Sequence, residues 1–237
     1  MLRRSGLACY RDVVALEIDK APLFPLPKGA ILPGELLPLH IFEPRYRAMM
    51  QEVRGGDQLI AIGTLHPGNV HDVEGRPLIS DIVGIGQLLR DEQNKDGTSD
   101  IVLHGIGRGR ITQELPSTPF RTVRFDRQPI TTDDHPAVTF RLRRQLLNGL
   151  ASHMEQPVVF VVTAHFDVGT LADRIASSLR LAASQRIAMM QAFSSEARVE
   201  LLLNLLEDPR HGQRLIDLIP SLQDFSLSLP DAKDASR

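Results

Sequence analysis

The stretch from Pro22 to Met50, PLFPLPKGAILPGELLPLHIFEPRYRAMM, limits what this chain can fold into more than any other. Pro22, Pro25, Pro27, Pro33 and Pro38 punctuate short apolar runs, and at Glu43-Pro44 the pattern switches to charged residues with apolar ones at helical spacing. Proline has no N–H to give to a sheet ladder, so the runs are expected to be short strands with edges, bulges or turns at the prolines. A strand–turn–strand–helix unit of this kind suits the start of a curved, barrel-like sheet with one helix beside it. The helix should start at Glu43 or Pro44, where a first-turn proline loses no hydrogen bond, and stop at Gly55-Gly56. Tyr46, Met49, Met50 and Val53 fall at i, i+3, i+4 and i+7 on one face. Nothing in the stretch announces a reaction.

The front half continues as strands. Residues 57–65 form an apolar run bounded by turn residues, and 78–90 and 101–111 read as longer strands bent at Gly84, Gly86 and the later glycines. Asp96-Gly97 between them is a hairpin signal. Residues 121–130 alternate with period two. The character changes at Asp133-Asp134-His135-Pro136, a helix start. Apolar faces then recur: Val138, Leu142, Leu146 and Leu150; Leu171, Ile175, Leu179 and Ala182 after a Thr-x-x-Asp capping box at Thr170; Ile187 and Met190; Val199, Leu202, Leu203 and Leu206. Helices with such stripes bury them against one another. Residues 157–166 (PVVFVVTAHF) have a strand's composition in a helical setting and stay unassigned. The expectation is an α+β chain with an extension at 1–20, a β-rich part at 21–132, a helical bundle at 133–219 and a flexible tail at 220–237.

The totals exclude several classes. With 237 residues, 42% hydrophobic and 24% charged, the chain can build an ordinary core. A net charge of −2 supplies no global attraction to nucleic acid or an anionic membrane. Cys9 is the only cysteine, so no internal disulfide forms, which fits a reducing compartment. No apolar run approaches the roughly 18 residues of a membrane span, and Arg11, Asp12 and Glu17 interrupt any leader-like core. A cytoplasmic location is expected.

The residues now on the page resemble a known family. The Pro22–Met50 stretch is similar to the opening of the Lon N-terminal (Lon substrate-binding) domain, above all its stand-alone bacterial members. Residues 82–89 and 101–111, with Gly105-Ile106-Gly107-Arg108-Gly109-Arg110-Ile111, resemble its later strands, and GTLADRIASSLRLAASQRIAMMQAFSSEARVELLLNLLED its closing helices. The likeness covers about residues 21–219. It implies a six-stranded, PUA-like β pseudo-barrel with one early helix, followed by a C-terminal helical bundle. In Lon proteases this domain recognises unfolded segments and degrons and helps to assemble the hexamer, and related domains bring substrates to ubiquitin ligases. The sequence departs from the whole protease: no G-x-x-x-x-G-K-[ST] phosphate loop occurs in it, nor does the Ser–Lys protease module. No ATP or peptide hydrolysis is therefore expected of it.

Each candidate site has a plainer reading beside it. His66 and His71 share a loop, but zinc takes three or four protein ligands, so exposed loop histidines are the better account. His40 and His104 lie in apolar strands without a Ser or Cys nucleophile and read as partnered, half-buried residues. Gly105, Gly107 and Gly109 run into a strand and not a helix, which favours a bent strand over a phosphate loop. Arg121, Arg124 and Arg127, with Arg141, Arg143 and Arg144, form the case for RNA on a PUA-like fold. The negative net charge and the scarcity of aromatic side chains for base stacking oppose it.

The resulting expectation is a non-catalytic module with no catalytic residues, cofactor or metal. It binds unfolded or degron-like polypeptide segments, or a protein partner, by strand edges and apolar pockets in the groove between the two parts. Arg45, Tyr46, Arg108 and Arg110 are its candidate binding residues. RNA binding through the arginine patches is the alternative, and homo-oligomerisation stays open.

Overall fold

The computed structural model describes residues 19–27, 29–66, 68, 70–73, 75–116, 119–128, 136–151, 167–208 and 211. Residues 1–18, the segment 157–166 and the expected tail lie outside them. Described strands are β1 (Lys20–Leu26), β2 (Leu36–Ile41), β3 (Leu59–Leu65), β4 (Ile79–Gln93), β5 (Ser99–Leu115) and β6 (Arg121–Gln128). Described helices are α1 (Pro44–Gly55), α2 (Pro136–Ala151), α3 (Val168–Ser178), α4 (Ala183–Gln191) and α5 (Ser195–Leu206). The chain divides into two units, Met1–Pro129 with Ala182–Gln191, and Ile130–Leu181 with Ala192–Arg237. α4 thus groups with the strands, where the sequence pattern had placed it among the bundle helices.

In the first unit the strands make one mixed sheet in the order β2-β5-β4-β3-β1-β6, and β5 also pairs with β6. The pairing of β1 with β3 is parallel and the others are antiparallel. This closes β1, β3, β4, β5 and β6 into a ring and gives the expected α+β pseudo-barrel with its early helix. One edge of β5 serves two partners in succession: Ser99 to His104 pair with β2, and Arg108 to Leu115 with β6. The changeover falls at Gly105-Ile106-Gly107. The glycine run is a strand junction.

Pro22 and Pro25 fit because each turns its missing donor to a vacant side. The Phe125 N–H donates to the Asp19 carbonyl, and antiparallel alternation then turns the Pro22 nitrogen away from β6. β3 begins its pairing only at Leu23. Pro25 faces the opposite way, beyond Leu23, where the β6 ladder has ended. Pro33 and Gly34 (φ +83°) occupy the middle of a turn closed by the Glu35 N–H on the Leu32 carbonyl at 3.0 Å, the type II arrangement.

β3 is buried from Leu59 to Thr64 because it has a core on each face. Ile60 and Ile62 pack with Tyr46, Met49, Met50 and Val53 of α1, while Leu59 and Ala61 pack with Val83, Val123 and Phe125. Between β1 and β2 the chain passes over β4 and β5 with Ile31 and Leu32 wholly buried. A Cβ on Gly84 would lie 2.1 Å from the Ile31 carbonyl oxygen, and one on Gly105 2.0 Å from that of Leu32. Buried backbone needs partners. Ala30 N–H donates to Thr64 Oγ1 at 2.7 Å, Leu32 N–H to the Glu35 carboxylate at 2.8 Å, and Arg186 of α4 to both the Ala30 carbonyl (3.1 Å) and Glu35 (2.8 Å).

In the second unit α5 packs on α2 and α3. Leu142 and Leu146 of α2, Leu171 and Ile175 of α3, and Val199, Leu202 and Leu206 of α5 are buried, as their spacing predicts. The cap of α3 differs from expectation. Asp167 is the N-cap and its carboxylate accepts from Thr170 N–H at 2.9 Å, whereas the Asp173 of the supposed capping box is buried. There it accepts from Arg198 of α5 at 3.0 Å, and neither side chain is exposed. The helix stops at Ser178, which leaves Ala182 exposed.

Urea unfolding of four variants tests these contacts. Gly105→Ala forces its methyl against a backbone oxygen and should cost about 3 kcal/mol, while Gly107→Ala, with nothing within 4 Å of an added Cβ, should leave the midpoint nearly unchanged. Asp173→Asn removes the carboxylate from a buried guanidinium and should cost the second unit about 3–5 kcal/mol. An Asp173→Leu, Arg198→Met pair should recover most of it.

Candidate functional site

The residues singled out from the sequence lie in two places. Arg45 and Tyr46 start α1. Tyr46 is 7% exposed and packs on Phe24 with ring centroids 4.3 Å apart, and burial pushes its phenol above the usual value. The Arg45 guanidinium sits 4.6 Å over the Tyr46 ring and donates to the Glu43 carboxylate at 2.8 Å. Glu43, Arg45 and Tyr46 therefore serve one another and the helix start. Arg108 and Arg110 lie two residues apart on β5: Arg108 is 2% exposed, and Arg110 is exposed and ion-paired with Asp81.

Three arginines of the basic patches, Arg121, Arg124 and Arg141, have acidic partners. Arg121 forks onto Glu114 at 2.8 and 2.7 Å, Arg124 pairs with Asp19, and Arg141 donates to Glu196 at 2.7 Å. His66 and His71 are exposed loop residues. Among the described residues no group of three or more His, Cys, Asp or Glu side chains is placed to hold a metal ion.

A different surface carries two of the exposed large apolar side chains, Leu36 and Phe42. β2 alternates: Leu36, Pro38 and His40 face outward, Leu37 and Leu39 are half-buried and Ile41 is buried. Phe42 follows in the same period, 61% exposed, and Leu36 is 46% exposed. Beside them stand His104, Val102 and Asp100 of β5, in register with Leu36, Pro38 and His40. A concavity of about 310 Å³ opens there, lined by Pro38, His40, Arg90, Glu92, Asp100 and Val102 among others.

Its rim is polar and tied together. His40 Nδ1 lies 2.7 Å from Asp100, and its ring lies near-parallel to Phe42 with centroids 6.1 Å apart. The Asn94 amide donates to the second Asp100 oxygen at 2.9 Å. The Asn94 bond first, and His40 after it, hold the Asp100 carboxyl below the usual range. His40 is thus partnered as expected, yet exposed and not half-buried; among the described strands β2 has β5 as its one neighbour. The lining contains no serine, threonine or cysteine, so no side-chain hydroxyl or thiol stands beside the His40–Asp100 pair. The four residues chosen from the sequence miss this surface. Its signal was the period-two spacing of Leu36, Pro38, His40 and Phe42.

A smaller cavity of about 160 Å³ lies between α1 and the β4–β5 turn, lined by Arg47, Gln51, Arg54, Gln93 and Ser99 among others. Arg54 is committed to Asp91 and to Ser99 Oγ, each at 2.8 Å. Asp96, at the same turn, is held low by the N–H and hydroxyl of Thr98.

No described helix is long and apolar enough to cross a membrane. Compared with known proteins, residues 20–208 match the model of the ATP-dependent protease La (LON) substrate-binding domain. The chain is 25% identical over 192 residues to a Lon protease of Trichlorobacter lovleyi, covering 78% of this chain and 23% of that protein. It is 26% identical over 198 residues to one of Heliobacterium modesticaldum, covering 80% and 24%. It thus spans about a quarter of the length of the curated relatives it matches. Among solved structures, a Lon N-terminal domain protein from Xanthomonas campestris superposes with a TM-score of 0.55 at 20% identity, covering 79% of this chain and 98% of that one. The N-terminal domain of a Mycobacterium avium complex Lon protease gives 0.59 at 18%, covering 80% and 98%. These two share the fold, and with the match over residues 20–208 they lead to one conclusion: the chain belongs to the Lon substrate-binding domain family.

Proposed function

We propose that this chain is a non-catalytic module that binds unfolded or degron-like polypeptide segments, or such a segment of a protein partner, on the outer face of β2, β5 and β4. The carrying observation is the row of Leu36, Pro38 and Phe42 standing exposed beside the concavity at the end of the sheet. Membership of a substrate-binding family supports the same reading. The surface chosen belongs to the six-stranded unit itself and replaces the groove expected from the sequence. Arg45 and Arg110, both exposed, are kept as secondary contacts, and Tyr46 and Arg108 are assigned to holding the barrel. The single cysteine agrees with a cytoplasmic setting.

Covering a large apolar side chain contributes about 1.5–3 kcal/mol at full burial, so a few such residues give weak, reversible capture. RNA binding has the poorer support, since Arg110, Arg121, Arg124 and Arg141 each face a carboxylate, and phosphate contacts depend on cations able to release counterions. The test is fluorescence anisotropy with labelled, reduced and carboxymethylated α-lactalbumin, a protein held unfolded in buffer. Leu36→Asp and Phe42→Asp should each weaken binding by about tenfold. Phe140→Asp, at an exposed phenylalanine of the second unit, should not. Equal loss from all three variants, or no saturable binding by the parent chain, would overturn the reading.

A further inference from the structure

We propose that the outer edge of β2 takes up an extended segment of the bound polypeptide as an added strand, and that Pro38 blocks this edge from pairing with a second copy of the chain. The inference rests on the polypeptide-binding reading above. Among the described strands β2 has β5 as its one neighbour, whereas β6 closes onto β5. The Gly105 N–H donates to the Glu35 carbonyl at 2.8 Å, and the register runs without a shift from Leu36 opposite His104 to Ile41 opposite Ser99. Bonded and non-bonded pairs alternate in such a ladder. Leu37, Leu39 and Ile41 therefore turn their N–H and C=O groups to β5, and Leu36, Pro38 and His40 turn theirs outward. The edge offers carbonyls at all three outward positions and donors at Leu36 and His40 only.

Hydrogen-bond matching selects the occupant. Two copies meeting antiparallel about a twofold axis at Pro38 would set proline opposite proline, in a pair that needs a donor from each and has neither. Sliding the register by two residues sets each Pro38 against Leu36 or His40 of the other copy, so the missing donor is met at both places. A polypeptide residue opposite Pro38 still donates to the Pro38 carbonyl, and its own carbonyl can stay in water at the edge. Self-pairing therefore forfeits twice what an added segment forfeits, and this is how an edge proline discourages association between copies. Segment residues opposite Leu36, Pro38 and His40 would lie over the outer face near Phe42, and those between would cover the half-buried Leu37 and Leu39. The segment is thus extended, apolar on both faces and free of proline at the residues facing Leu36, Pro38 and His40.

Amide exchange on the full chain by NMR, with and without saturating carboxymethylated α-lactalbumin, tests this directly. The Leu36 and His40 amides should slow by about tenfold or more on binding, while those of Leu37 and Leu39, already in the ladder, change little. Pro38→Val should bind the same probe about tenfold more tightly and show a larger, concentration-dependent mass in sizing than the parent chain. Probe binding that leaves Leu36 and His40 unprotected overturns strand addition and leaves the polypeptide-binding reading standing. No binding at all overturns both. A folded Pro38→Val chain that neither tightens nor self-associates overturns the part assigned to Pro38. If that variant does not fold, exchange on the parent chain decides alone.

Discussion

The carbonyl oxygens of Ile31 and Leu32 press on the α-carbons of Gly84 and Gly105, and the first unit is built around that contact. A side chain at either glycine would stand about 2 Å from a backbone oxygen, too close for any atom pair. The crossing buries irregular backbone, which is costly unless its polar groups are met. Thr64, Glu35 and Arg186 meet them from β3, from the turn before β2 and from α4. Glu35 serves twice, closing on the Leu32 N–H and receiving Arg186. The same contact delivers the chain to β5 at the point where β2 begins, since the Gly34 N–H donates to the Gly105 carbonyl at 2.8 Å. A single crossing thus sets where β2 lies and which of its residues face outward.

The Pro22–Met50 stretch made much of this legible. Prolines demanded vacant sides, and Pro22, Pro25 and Pro38 each have one. The helix from Pro44 and its buried face of Tyr46, Met49, Met50 and Val53 follow from spacing alone. What spacing could not show was that β1 lies inside the sheet with neighbours on both sides, because its two ladders are staggered by residues far away in sequence. Nor could it show that Gly84 and Gly105 answer to Ile31 and Leu32, a contact between segments more than fifty residues apart. The helical half was readable in its stripes and misread at its ends. Thr170 and Asp173 match a capping box in spacing, but Asp167 takes the cap and Asp173 is drawn inside by Arg198.

The family was legible in the sequence, whereas the residues picked as binding candidates lie away from the surface proposed for binding. Charged and aromatic residues in a repeated motif attract the eye, yet Tyr46 and Arg108 are buried. Glu43 and Arg45 pair with each other, and Arg110 pairs with Asp81. The surface proposed for binding carries plain residues, Leu36, Pro38 and Phe42. They stand out only once β2 is seen to end the sheet among the described strands, for a single exposed leucine is ordinary and apolar residues in a row beside a concavity are not.

The central claim is that unfolded polypeptide docks along Leu36 to Phe42. Photo-crosslinking measures it most directly, with benzoylphenylalanine at Phe42 in one chain and at Phe140 in another, each irradiated with carboxymethylated α-lactalbumin. Both positions are exposed phenylalanines, 61% and 68%, so solvent access alone treats them alike. The predicted result is covalent capture at position 42 that unlabelled probe competes away, with only background at 140. Equal capture at the two positions, or capture at 140 alone, would contradict the claim.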